Sequence, residues 1–387
     1  MLTALLIAQL LALGVVATRL ARGRHRLPAA EPLPEGLAGT TVTAVVPTRN
    51  EAHRVGACLA GLHRQGAPLV EVIVVDSCSA DGTDRLVDEW AARDSRIRRI
   101  ADPPLPAGHV GRPWALAAGF GAARGEWVLG IDADAAPLPG MVAGAVAAAE
   151  RHALDVVSFA PRLRARTALA RWLQPAFLTT LVYRFGPSGL RSDRPERALA
   201  NGQCLLMRRR VLERAGGYAV ATRSFCDDIT IVRHLAAGGA RVGFLDGPRL
   251  LTVEMYGSGG ETWRAWPPSL GMRDATSPAA RLLDSAFLVL AQGAPLAVLG
   301  ALALSGARGA AAVALSAVNV VLFGLRLLVL AAASPTFERR GLAYWLSPLA
   351  DLPATLRVGY TSFRRPQEWR GRALTAAGRS RRPAAVA

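Results

Sequence analysis

The sequence contains no lysine: all 46 basic residues among its 387 are arginines. A GC-rich coding bias accounts for the choice of arginine over lysine, but not for the excess. With only 29 acidic residues the formal net charge is +17, which calls for a negatively charged partner. Aromatics make up just 6% of the chain and do not interleave with a basic stripe, so no nucleic-acid partner is expected. Anionic lipid head groups fit the charge better. Cysteine is scarce too. Cys58, Cys78, Cys204 and Cys226 form no C-x-x-C pair, which argues against a disulfide framework or a zinc site and for reduced thiols in the cytoplasm. The six histidines show no metal-ligand spacing. No positive charge precedes the first apolar run, so it does not read as a cleaved signal peptide.

What is abundant is apolar sequence, 51% of the chain, and it is unevenly spread. Residues 1–20 are long enough to span a bilayer and are followed by Arg22, Arg24 and Arg26. By the positive-inside rule this is an N-terminal anchor with the following domain cytoplasmic. A Pro-rich linker, 21–40, leads into a soluble domain, 41–275. Residues 282–362 form a C-terminal membrane region with two expected spans, 286–304 and 310–333. The second carries Arg326, which should face a protein partner or snorkel to the interface. A third stretch, 342–360, holds Pro348, Asp351, Pro353 and Arg357 and reads as interfacial or re-entrant. A basic tail, 363–387, closes the chain. The expectation is a multi-pass protein of the cell membrane with its soluble domain and C-terminus inside.

Within the soluble domain strand, turn and helix alternate. Runs at 42–46, 70–75 and 127–131 are β-branched and apolar, with amphipathic helical patterns between them. This alternation predicts an α/β fold with a mainly parallel sheet, whose ligands sit beyond the carboxyl ends of the strands. Acidic residues stand at those ends: Asp76 after the second run, Asp132 and Asp134 after WVLGI. Two carboxylates at i, i+2 on an extended segment reach the same open edge, and hard oxygen ligands of this kind suit Mg²⁺ or Mn²⁺. The apolar stretch 170–183 contains Arg171, Gln174 and Pro175, and reads as an interfacial or a buried core helix.

The motifs VVPTRNEAHRVGACLAGL, VDSCSADGTD, GIDADA, NGQCLLMRR and FCDDITIVRHL together resemble family 2 glycosyltransferases of the Rossmann-like GT-A fold. The resemblance runs from about 41 to 235. It implies a divalent metal cofactor and a UDP- or GDP-linked nucleotide-sugar donor. Pro47, Arg49, Asn50 and Glu51 would border the nucleotide, and Asp76 would contact its base or ribose. Asp134, helped by Asp132, would hold the metal on the donor diphosphate. Asp228 matches the family's catalytic base, and its neighbour Asp227 would raise its proton affinity by repulsion; the alternative is that the pair caps the following helix. The family usually has two acids after the second strand, whereas here Ser77 follows Asp76.

GHVGRPWALAAG resembles a stretch of lipid-glycosylating members, which would aim Arg112 at the donor phosphates; a solvated surface arginine is the other reading. Asn201, Gly202 and Gln203 would line the acceptor side. Trp263 and Trp266 lie where processive relatives carry another pattern, so they are either acceptor-side residues or interfacial aromatics. EWRGRAL (368–374) resembles the tail of bacterial carotenoid and hopanoid-associated glycosyltransferases. The resemblance thus implies an inverting hexosyltransferase acting on a lipid or terpenoid acceptor at the membrane, in particular a hydroxylated carotenoid. The alternatives are a polyprenyl-phosphate or glycerolipid acceptor and, outside catalysis, a membrane scaffold.

Overall fold

A computed structural model describes residues 2–192, 194–364, 368–369 and 372–373. Most of the basic tail, including much of EWRGRAL, lies outside the described residues. The chain opens with helix α1 (Leu2–Ala21) and then builds two sheets from β1 (Val42–Thr48), β2 (Leu69–Asp76), β3 (Ile97–Ala101), β4 (Trp127–Ile131), β5 (Ala135–Pro137), β6 (Val156–Ala160), β7 (Arg162–Leu163), β8 (Leu190–Arg191), β9 (Cys204–Arg208), β10 (Val242–Asp246) and β11 (Leu251–Val253). Eight of these strands form one sheet in the order β3-β2-β1-β4-β9-β6-β10-β8. From β3 to β4 every pairing is parallel. β9 then runs antiparallel to both β4 and β6. The expected mainly parallel sheet is therefore mixed. Val42, Ala44, Val45 and Val46 are fully buried, because β1 is covered on both faces and its two sets of side chains must both be apolar.

The helices α2 (Val55–His63), α3 (Thr83–Arg93) and α5 (Met141–Arg151) pack on one side of the sheet. The other side carries α4 (Gly111–Ala122), α7 (Arg209–Arg214) and α8 (Asp227–Ala237), with α6 (Ala168–Phe185) inserted between β7 and β8. The Pro-rich linker is strapped down along its length. Leu27, Ala30, Leu33 and Leu37 donate backbone hydrogen bonds to Gly189, Asp246, Gly140 and Ala67.

A second apolar core joins α1 and α6 to the C-terminal helices α9 (Gly259–Leu270), α10 (Pro278–Leu288), α11 (Pro295–Ser305), α12 (Ala310–Ala333), α13 (Gly341–Trp345) and α14 (Asp351–Ser362). Among the described residues two helices are long and apolar enough to cross a membrane, Leu2–His25 and Ala310–Thr336. The expected span 286–304 is not one straight helix. A π-helical turn, Val289–Gly293, ends α10 and Pro295 starts α11 without an amide to continue the ladder, so the pair bends by 55°. The stretch 342–360 is likewise broken, at Ser347–Ala350. Buried Arg326 finds its partner there: its Nε donates to Asp351 Oδ2 (2.8 Å) and its Nη2 to Ser347 Oγ (3.0 Å), and Gln292 Nε2 donates to Asp351 Oδ1 (2.9 Å). α6 settles as a buried helix, with Leu173, Gln174, Pro175 and Phe177 inside.

Candidate active site

Strands β2, β1 and β4 lie side by side, so Asp76 and Asp132 reach the same edge of the sheet on either side of the segment that leaves β1. That segment is held open by hydrogen bonds to the turn after β2. Asn50 takes a left-handed φ of 54°, a region asparagine tolerates better than most residues. Its amide donates to Ser79 Oγ and its Oδ1 accepts from the Ala80 amide, each at 2.9 Å. The Glu51 amide donates to Thr83 Oγ1, and Arg49 Nη1 donates to the Ser77 carbonyl. Asp76 accepts from Thr48 Oγ1 (3.2 Å), the Ser79 amide (3.1 Å) and Ser79 Oγ (2.5 Å). Where the resemblance calls for a second acid, Ser77 instead donates its hydroxyl to Asp102 at 2.8 Å. Asp102 follows β3, another strand-end acid that the sequence reading passed over.

In the turn after β4 the burial alternates: Asp132 and Asp134 face the open side while Ala133 is buried between them. Arg112, in the first turn of α4, reaches across to this turn. Its Nε and Nη2 donate to Asp132 Oδ1 at 2.9 and 2.7 Å, its Nη1 donates to Asp227 Oδ2 at 2.5 Å, and its Nη2 also donates to the Gly202 carbonyl at 2.8 Å. It is not a solvated surface residue. Burial works against its charge, but Asp132 and Asp227 outweigh that and hold its proton well above the usual guanidinium range. Gly202 closes the circuit, since its amide donates to Asp228 Oδ2 at 2.9 Å. A Cβ there would stand 2.5 Å from Arg112 Nη2, so a larger residue would have to displace the guanidinium.

Asp227 and Asp228 occupy the first turn of α8, and the N-cap position belongs to Cys226. Asp228 Oδ1 accepts from the next amide, Ile229 (2.8 Å). Burial first, and the charge of Asp227 second, push the Asp228 carboxyl up to about 6. Asp227 is raised by burial too, but Arg112 opposes this, and Tyr218 donates its hydroxyl to Asp227 at 2.8 Å. Both acids are thus raised, and Asp227 alone has a guanidinium and a phenol hydroxyl against it. Tyr218 carries no sequence signal beyond lying nine residues before Asp227.

Asn201 and Gln203 brace the same turn: Asn201 Nδ2 donates to Gln203 Oε1, and the Gln203 amide donates back to Asn201 Oδ1, both at 3.1 Å. Pro47 sits within β1 opposite Val75. Trp263 and Trp266 belong to α9, whose Glu261 pairs with Arg54. Both pack against Phe177 of α6, in the core shared with α1 and α12, and Trp266 is buried there. Among the described residues no group of three or more His, Cys, Asp or Glu could hold a metal ion, so a cation here would have Asp132 and Asp134 as its acidic ligands. Their hard oxygens on the open side of one turn fit Mg²⁺ or Mn²⁺, which keep waters and share a ligand's phosphate oxygens.

The profile of the family described as Glycosyl transferase family 2 matches residues 43–216. The succinoglycan biosynthesis protein ExoO of Rhizobium meliloti (strain 1021) is 38% identical over 154 residues, 36% of this chain and 42% of that protein. The uncharacterized glycosyltransferase EpsJ of Bacillus subtilis (strain 168) is 29% identical over 116 residues, 30% of this chain and 32% of that protein. The chain thus spans less than half the length of either relative. Among solved structures, the mannosyltransferase PcManGT from Pyrobaculum calidifontis, in complex with GDP-Man and Mn²⁺, superposes with a TM-score of 0.54 at 23% identity, over 91% of this chain and 99% of that one, a likeness of fold. Residues 43–216 thus match the glycosyl transferase family 2 profile, and the chain has an α/β fold of the GT-A type.

Proposed function

We propose that the protein is an inverting glycosyltransferase of the cell membrane that moves a hexose from a nucleotide-diphosphate sugar to a hydroxyl of a lipid-soluble acceptor, a hydroxylated carotenoid or another terpenoid. The observation that carries the reading is the connected chain Asp132–Arg112–Gly202–Asp228, which ties a candidate cation turn to a carboxylate raised toward neutrality. A base with such a pKa is matched to taking a proton from a hydroxyl near pH 7.

Residues 41–275 form the catalytic domain in this reading. Arg49, Asn50, Glu51 and Asp76 hold the nucleoside, with Asp102 reaching in through Ser77. Asp132 and Asp134 hold the divalent cation, and PcManGT, solved with GDP-Man and Mn²⁺, supports both ligand classes. When bound, the cation neutralises charge on the departing diphosphate. Asp228 takes the acceptor proton, and a single displacement inverts the anomeric centre. Asp227 is held by Arg112 and Tyr218 and leaves Asp228 as the base. Arg112 positions both acids rather than meeting the phosphates alone. α1, α12 and the bent pair α10–α11 anchor the domain to the membrane, with the arginines at 19–26 on the cytoplasmic side. The tail resemblance at 368–374 supports the terpenoid acceptor.

Expression in a carotenoid-producing bacterium, with pigment extracts compared by mass spectrometry, tests the reading. A hexose-sized mass gain on a hydroxylated carotenoid is expected with the native chain. It should be lost with Asp228→Asn, which is expected to lower turnover by about 10²–10⁴-fold. Unchanged pigments with intact cleavage of a nucleotide sugar would remove the acceptor and keep the transferase.

A further inference from the structure

An open groove of about 530 Å³ runs between α14 and the α10–π-turn segment, walled by residues such as Leu282, Ala286, Val289, Leu356 and Tyr360. Small residues set the helix spacing: a Cβ on Gly359 would stand 3.4 Å from Ser285. No charged side chain enters the walls, and Leu282, Leu283 and Leu356 are exposed along this face.

One end of the groove is different. The helices are antiparallel there, which brings the start of α10 beside the end of α14 and gathers three arginines on aromatic rings. Arg281 lies 5.7 Å from the Phe363 centroid, Arg364 4.5 Å from Tyr360, and Arg357 5.8 Å from Tyr360 and 5.6 Å from Trp263. Among the described residues none of the three has a carboxylate partner. Arg281 donates only to the Arg273 and Thr276 carbonyls and keeps a buried Nε without an acceptor, and Arg357 donates to the Trp263 carbonyl. The acid of α10, Asp284, interacts instead with Arg19, Arg184 and Arg233. A hydrocarbon trough that ends in three uncompensated guanidinium groups is complementary to one kind of molecule, an amphiphile with a phosphate head.

We propose that this groove binds a membrane phospholipid of net negative charge, its acyl chain along α10 and α14 and its phosphate against Arg281, Arg357 and Arg364. The inference rests on the membrane placement of the helical layer and not on the transfer reaction. It has a consequence for the catalytic end. The arginine end adjoins the turn Arg273–Ala275, whose Asp274 accepts from the Phe225 amide at 2.8 Å, two residues before Asp227. A lipid seated there steadies the start of α8.

Native mass spectrometry of the full chain in neutral detergent, with added phosphatidylglycerol or phosphatidylcholine, reads the binding directly. Phosphatidylglycerol should be retained preferentially. The triple variant Arg281→Gln, Arg357→Gln, Arg364→Gln should lose about tenfold or more of that retention, as three arginine–head-group contacts are removed. Ala286→Trp, on the exposed groove wall, should weaken both lipids by filling the trough. Arg210→Gln, an exposed arginine on α7 against the sheet, should change neither. The proposal is overturned if the triple variant binds as the native chain does, if Arg210→Gln lowers retention equally, or if glycerol phosphate without a chain displaces the lipid at equal concentration. Recovery of the chain in buffer without detergent would overturn the membrane placement itself, before any lipid is added.

Discussion

At the scale of single residues the site is a set of acids sorted by their surroundings. Asp227 is buried and Asp228 half-buried beside it; both carboxyls are raised, Asp228 to about 6, and only Asp227 is paired with a guanidinium. The expected pH profile follows from that assignment. In the proposed transfer Asp228 can take a proton only when ionised, and its carboxyl is raised to about 6. kcat/KM should therefore be flat above that value and fall about tenfold per pH unit below it, with slope one. A profile measured with saturating Mn²⁺ checks this, and an acid limb near pH 4 would show that the base lies outside the pair. The sequence made the acids visible because each closes a strand or opens a helix. It did not show what joins them. Arg112 was legible as a basic residue in a family-like stretch, but its ion pair with Asp227 spans 115 positions and depends on Gly202 having no side chain. Tyr218 was missed because a single hydroxyl has no local pattern to betray it, and Asp102 because the run before it, IRRIA, holds two arginines and does not read as a buried strand.

At the scale of elements, α4 is the piece that sets the site, since its first turn carries Arg112. Its seat on the sheet is built around Gly119. A Cβ there would stand 2.2 Å from Val45 Cγ1 and 2.9 Å from Val75 Cγ2, both fully buried core side chains of β1 and β2. Gly119→Ala should overpack this contact and cost about 1–3 kcal/mol, lowering nucleotide-sugar turnover as α4 shifts. Gly121→Ala, with nothing within 4 Å of its Cβ, should be neutral or mildly stabilising and serves as the comparison in a thermal melt. Element identity was the most legible level of the chain. β4 was expected at 127–131 and α12 at 310–333, and both fall at those positions, because long runs of one period leave little choice. What failed was continuity. A hydropathy run at 286–304 hides a π turn and a proline, and the antiparallel insertion of β9 carries no mark that distinguishes its direction.

At the scale of the whole molecule the question is what keeps the apolar layer in one arrangement, since apolar faces alone specify it weakly. Two polar contacts inside that layer do so. Gln9 of α1 and Asn319 of α12 exchange hydrogen bonds through their amides at 2.9 and 2.7 Å. Arg326 of α12 and Asp351 of α14 are paired while almost fully buried, and Gln292 joins them to the Ala176 carbonyl of α6. Such a pair adds little net stability over an apolar substitute, but half of it is costly to leave behind. Arg326→Leu or Asp351→Leu alone should each destabilise the protein in detergent by about 3–5 kcal/mol, and the double variant should recover most of that loss. Unfolding of all four proteins, followed by tryptophan fluorescence with donor binding as a second readout, measures the coupling. If the two single losses simply add, α12 and α14 are held by packing alone and the pair is incidental. If they cancel, the charge inside the apolar helical layer serves as a registration mark between helices, keeping α14, and with it α9 and α6, in one position.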